Sequence, residues 1–239
     1  MATRWYLPAS GAAPASPTIG SYTHDAGTRR SCNTTKQSTA PADTAYSPDA
    51  ADHGSEGDSH FVQFVSANQY AAQTIPSGTT VQVQVRTSEA HANNNLKLQL
   101  RVFACSADGT TIRTPDILSK TVSGGTEVPT GTLTNRGVSA VSGANVVLSD
   151  QDRIVCEVSL NGTPGGGGGV QGHNGTLRFG DNNAGDLTQG DETEQTDLNP
   201  WIELSATLTV YDPNVTVTPG VASLIATPQA PSLGLGFTP

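Results

Sequence analysis

Period-two alternation dominates the middle of this 239-residue chain. Val81, Val83 and Val85 alternate with Gln82, Gln84 and Arg86, and Leu96, Leu98, Leu100 and Val102 alternate with Lys97, Gln99 and Arg101. Successive side chains of a β-strand point to opposite faces, so these stretches are strands with one apolar and one polar face. Phe61–Val65, Ile117–Val122, Leu133–Ser142, Asn145–Leu148, Arg153–Leu160, Thr176–Phe179 and Trp201–Tyr211 carry the same signal with varying clarity. In the last of these, Ile202, Leu204, Ala206, Leu208 and Val210 share one side. Asp108-Gly109 is a hairpin turn signal ahead of Thr110–Arg113. No helical period competes. Strands with one apolar face bury it by packing two sheets together. About eight of them predict an all-β, jelly-roll-like antiparallel β-sandwich with extended N- and C-terminal arms. An immunoglobulin-like sandwich would call for a Cys–Trp–Cys spacing that this chain lacks.

The alternation starts near His60. Before it, residues 1–59 are rich in Ala, Ser, Thr, Pro and Asp, with short strand signals only at Thr3–Leu7 and Ser31–Thr35. This stretch is expected to be an N-terminal arm outside a sandwich of residues 60–212. Residues 213–239 form a third region. They carry no charge and contain Val215, Val217, Val221, Leu224, Ile225, Leu233, Leu235 and Phe237, interrupted by five prolines. Prolines at this density exclude a helix or a central strand, and disordered tails are polar and charged. An extended apolar tail needs a groove, on its own domain or on a neighbour. At roughly 3.3 Å per residue, 27 residues span roughly 90 Å, enough to reach a neighbour.

Composition removes several functions. The net charge of −9 leaves no basic stripe for phosphates, so no nucleic-acid partner and no anionic membrane surface is expected. No run of 18 apolar residues is present. The N-terminus has no apolar signal core, which suits a mature chain or release by lysis. Cys32, Cys105 and Cys156 are an odd number and give no disulfide framework. Strand phase places Cys156 with Ile154, Val158 and Leu160 on the inner face and Cys105 on the face opposite Val102.

Few residues suggest chemistry. A Gly-x-Gly-x-x-Gly at 167–172 has no following helix to hold a pyrophosphate, so a flexible loop is the better reading. Six carboxylates lie between 181 and 197; Asp181, Asp186, Asp191 and Glu192 are candidate calcium ligands that would stiffen the loop. The competing reading is a solvated acidic loop, and no other cofactor is expected. Asn33, Asn161, Asn174 and Asn214 stand in Asn-x-Thr triplets and are candidate glycan acceptors, although such triplets also arise by chance in a Thr-rich chain. Trp5, Tyr6 and Trp201 could stack on sugar rings or pack at the edge of the sandwich. No nucleophile elbow or metal-spaced histidine pair marks an enzyme.

Three segments carry a resemblance. Arg4-Trp5-Tyr6-Leu7-Pro8 with Ser10-Gly11-Ala12-Ala13-Pro14, the late Leu198–Glu203 motif and the Val217–Leu224 stretch resemble uncharacterised structural proteins of bacteriophages and environmental sequences. The resemblance implies a virion or extracellular filament subunit and no catalytic residue. Copies of the same chain are then the expected partners, joined by strand or tail docking. A carbohydrate-binding module on a phage tail or capsid is the competing expectation.

Overall fold

The computed structural model describes residues 2–46, 57–92, 94–162, 174–182 and 184–214. These form fourteen strands and no helix, and therefore no helix long and apolar enough to cross a membrane. One six-stranded sheet contains β1 (Thr3–Tyr6), β4 (Ala42–Tyr46), β7 (Thr80–Glu89), β10 (Thr134–Val141), β13 (Gly175–Phe179) and β14 (Trp201–Leu204). The other contains β2 (His24–Asp25), β3 (Arg29–Cys32), β5 (Gly57–Ser66), β8 (Leu96–Cys105), β9 (Leu118–Val122) and β12 (Arg153–Gly162). A small third ladder joins β6 (Gln73–Ile75) to β11 (Val146–Leu148).

The longer strands alternate between the sheets along the chain: β5, β8 and β12 lie in one and β7, β10 and β13 in the other. That alternation wraps the chain around its core and gives a jelly-roll-like, predominantly antiparallel sandwich. The first sheet runs β10–β7, after which β14 and β13 share the far side of β7 end to end and are flanked by β1 and β4. The second runs β5–β12–β8–β9, with β2 and β3 sharing the outer edge of β5. Val81, Val83 and Val85 of β7 and Leu96, Leu98, Leu100 and Val102 of β8 are fully buried between the sheets. Trp5 meets Tyr70 edge-on, with ring centroids 6.1 Å apart, and its Nε1 donates to the Tyr70 hydroxyl at 2.8 Å. Cys156 lies in this core, and Cys105 lies on the opposite face in a second cluster with Val65, Phe103 and Val155. All three cysteines are buried thiols.

The N-terminal residues correct the expectation of an outlying arm. β1 pairs antiparallel with β14, while β2 and β3 pair parallel with β5. Trp5 and Leu7 are 0% exposed. These strands are two to four residues long and several send only one or two apolar side chains inward, so no sustained period marks them. The C-terminal strand is also shorter than its alternation implies and ends at Leu204. Beyond it the Ser205 hydroxyl accepts from Thr80 N, Leu208 still reaches the core, and Val210 turns out to solvent. The Asp108-Gly109 turn forms, with Gly109 at φ 81° and Ser106 N donating to Thr111 O at 2.8 Å. Its return arm makes only an isolated bridge, Cys105 to Ile112. The glycine-rich stretch at 167–172 and the tail residues from Val215 to Phe237 fall outside the described residues.

Residues 13–25 cover the outer face of the second sheet. Ala15 packs on Val65, Phe103 and Val155. Farther along, the side chain of Glu157 is fully buried and accepts four hydrogen bonds: from Gly20 N at 2.9 Å, Tyr22 Oη at 3.0 Å, Gln63 Nε2 at 3.0 Å and Arg101 Nη1 at 3.2 Å. Arg101 also forks onto Asp116 at 2.8 and 3.0 Å. Burial works against the Arg101 charge, but Asp116 and Glu157 outweigh it and hold the guanidinium pKa above its usual value. Burial, with the neighbouring Glu157 charge, raises the Tyr22 phenol. Removing one partner of a buried, fully bonded charge costs about 3–5 kcal/mol. Glu157→Ala is therefore expected to lower unfolding free energy by about that much in denaturant titration, with Glu157→Gln losing less because it keeps an acceptor. Deleting residues 1–46 is expected to abolish the cooperative unfolding transition followed by circular dichroism, because it removes four strands and one of the two buried tryptophans.

Candidate assembly surface

A sandwich exposes strand edges, whose free N–H and C=O groups invite pairing with another chain. Monomeric proteins blunt such edges with charge, proline, bulges or very short strands. Among the described residues nearly every edge is blunted. β1 carries Arg4, β4 carries Asp43, β2 carries Asp25, and β3 carries Arg29 and Arg30. β9 carries Lys120 and an irregular register against β8. β6 and β11 are three residues each. The exception is Gly137-Val138-Ser139-Ala140-Val141, the second part of β10, which has no charge, no proline and no register break against β7.

The register fixes which groups of β10 are free. Asn135 N points away from β7 and donates to Glu194 O at 2.8 Å. Alternation along an antiparallel strand then turns the N–H and C=O of Gly137, Ser139 and Val141 to the same outer side. The start of the strand is covered: Asn135 Nδ2 donates to Thr188 O, and the buried Arg136 guanidinium donates to the carbonyls of Glu127, Asn135 and Glu192. From Gly137 onward no described strand pairs with this edge. Beside it, where the β9 and β10 edges of the two sheets face each other, lies a groove of about 260 Å³. Its walls combine Pro115, Ile117, Leu118, Val141 and Ala144 with Asp116, Ser119 and Thr121. Val141 is 61% exposed, a large value for an apolar residue in a strand.

The carboxylates considered for calcium do not converge. Asp181 is buried and accepts from Gln37 N at 2.6 Å, Thr39 N at 2.8 Å and Thr39 Oγ1 at 2.5 Å. Asp186 meets Arg4 Nη1 and Lys36 Nζ, both at 2.9 Å, and the Tyr6 hydroxyl at 3.1 Å. Asp191 closes a local turn onto Thr193 N, and Glu192 accepts from Thr126 N. Each already has protein donors, and no three His, Cys, Asp or Glu side chains among the described residues gather as a metal-holding group. The sugar-stacking reading also meets a correction. Trp5 and Trp201 are 0% and 1% exposed, and Trp201 Nε1 donates to Leu187 O at 2.8 Å, so neither ring face is open to a ligand. Of the four Asn-x-Thr residues, Asn33, Asn161 and Asn174 are half-buried and Asn214 is exposed.

The buried polar seat of Glu157 and the open β10 edge escaped the sequence reading. For Glu157 a signal existed: Val65, Phe103 and Val155 are apolar at outward-facing positions, which marks a covered outer face. For β10 the signal was five consecutive uncharged residues in a weakly alternating strand.

No protein-family model matches this chain, and no curated protein matches it. Solved structures give distant likenesses. A CocE/NonD family hydrolase from Staphylococcus aureus is 12% identical with a TM-score of 0.43, over 85% of this chain and 36% of that one. The infectious bursal disease virus Gt strain structure is 11% identical with a TM-score of 0.27, over 73% and 38%. The VP2 subviral particle of that virus is 12% identical with a TM-score of 0.24, over 72% and 39%. This chain thus spans under two-fifths of each. A hydrolase and a viral particle protein stand side by side at low scores, and the likeness assigns neither an activity nor a role.

Two outcomes follow from the acidic residues. Calcium or a chelator is expected to leave the melting temperature unchanged, since the loop carboxylates already hold donors. Burial of Asp186 raises its pKa, but Lys36, Arg4 and Tyr6 outweigh this and hold the carboxyl below its ordinary value. A depressed folded pKa stabilises above the unfolded pKa and is lost as pH falls through the folded one. Asp186→Asn is expected to be less stable than wild type at neutral pH, with the deficit closing below roughly pH 4 in a pH series of thermal melts.

Proposed function

We propose that this protein is a structural subunit that assembles with copies of itself, with residues 213–239 as the connector, in a filament or virion-associated assembly outside the cell. The observation that supports this most is the unblunted edge from Gly137 to Val141 beside a groove of mixed apolar and polar lining. Such an edge is a liability on a protein that stays single and an asset on one that pairs. The tail supplies the complement in composition, being proline-rich, apolar and uncharged. Backbone pairing would give affinity and the alternate side chains register. A tail given by one copy to a different patch on the next is a heterologous contact, which propagates into a ring or an open helix. The reading contains no chemical step. The net charge of −9 agrees with a protein that binds neither nucleic acid nor an anionic membrane.

Removing residues 213–239 is the test. The shortened chain is expected to keep its β-sheet spectrum and cooperative melt while losing every species larger than the monomer in light scattering and negative-stain images. A shortened chain that assembles like the full one would sink the connector role.

A further inference from the structure

We propose that the outer edge of β10, from Gly137 to Val141, receives residues 215–218 of a neighbouring copy as an added strand; this rests on the assembly reading above and names its acceptor. The outward N–H and C=O groups of Gly137, Ser139 and Val141 form a five-residue ladder bounded at one end by the Asn135–Glu194 bond. The four-residue donor fits within it and matches its chemistry. Val215-Thr216-Val217-Thr218 is uncharged and β-branched, alternates apolar with polar, and is stopped by Pro219. A strand added there extends the first sheet and turns alternate side chains toward the groove walled by Ile117, Leu118 and Ala144. No charge has to be buried: Asp116, the acid at the groove, is already held by Arg101.

The path of the chain favours a neighbour over the subunit itself. Ala71 N donates to Thr209 O and Tyr211 N to Gln69 O, so the described chain leaves beside residues 69–71. Tyr70 is bridged to Asp152, at the start of β12. The β9 edge is two strands farther across that sheet, roughly 10 Å at about 4.8 Å per spacing, and β10 faces it. Val215 follows Asn214 directly, after a turn at 213–214. Reaching the subunit's own β10 would use up the residues that make the strand, whereas a neighbour placed at the exit requires no detour.

The experiment uses four full-fold proteins: wild type, the chain lacking 213–239, Ser139→Pro and Val141→Lys. Proline at an edge position whose N–H faces outward removes a donor without touching the ladder to β7, and Val141 is exposed enough to take a lysine. Thermal melts establish that each is folded; should Ser139→Pro not fold, Val141→Lys carries the test. Wild type is expected to assemble, and the other three are expected to be monomers. Mixing Val141→Lys, which keeps its tail, with the tail-less chain, which keeps its edge, is expected to give a species of two chains and nothing longer. Folded edge variants that assemble like wild type, while the tail-less chain does not, overturn β10 as acceptor and leave the assembly reading standing. A mixture that stays monomeric overturns docking between copies at this edge. A tail-less chain that assembles, or a wild type that remains monomeric at all concentrations, overturns both readings.

Discussion

A carboxylate with no access to water, set in the middle of a sheet face, is the constraint on which this architecture rests. Glu157 is tolerated there because four donors reach it, and two of them, Gly20 N and Tyr22 Oη, come from the segment that shuts out solvent. The charge therefore depends on the segment for half of its donors. Without residues 13–25, Glu157, Gln63 and Arg101 would form an ordinary solvated face. Without Glu157, that segment would lose the acceptor for Gly20 N and Tyr22 Oη, keeping Ala15 in its cluster, Thr23 N on Asp58 and Ser21 O on Lys120. Once held, it buries the second sheet on both sides, as is usual for sheets covered by helices and less so for an antiparallel sandwich.

This covering leaves the proposed contact between copies little choice of place. One face of the second sheet is closed by the core and the other by the N-terminal segment. The outer face of the first sheet is threaded by ion pairs: Arg178 with Asp43 and Asp197, and Arg86 with Asp197. Those charges have partners within the chain and offer little to another protein. Among the described residues, what remains is the side where β9 and β10 approach, and there β10 lacks a charged guard while β9 carries Lys120. Val141, on this side, is one of four exposed valines among the described residues, with Val122, Val147 and Val210.

Much of the sandwich was legible because the long strands obey a strict period. β8 has the boundaries its alternation implies, Leu96 to Cys105, and the phase argument placed Cys105 and Cys156 on opposite faces correctly. The failures share a cause. β1, β2 and β3 are short, two of them pair parallel, and their partners lie as many as 201 positions away, as Thr3 does from Leu204. A local pattern cannot report such pairing. Asp181 and Asp186 misled for a related reason: their neighbours in sequence are acidic, but their neighbours in space, Thr39, Arg4 and Lys36, come from the N-terminal region. The open edge of β10 was legible in composition and not in place, since being an edge is a property of the whole sheet.

The three thiols have a consequence of their own. None is paired, and burial pushes the Cys32 and Cys156 pKa values upward and that of Cys105 to about 12. In the folded protein they are nearly inert, because the thiolate is the reactive form. Each sulfur becomes a reporter of the layer above it. Cys105 lies in the cluster capped by Ala15 and Ile112, so its labelling clocks the opening of this outer covering. Cys32 and Cys156 sit between the sheets, and their labelling clocks the parting of the sandwich. The chain thus carries two gauges of its own opening, one for its wrapping and one for its core, readable by the same alkylating reagent.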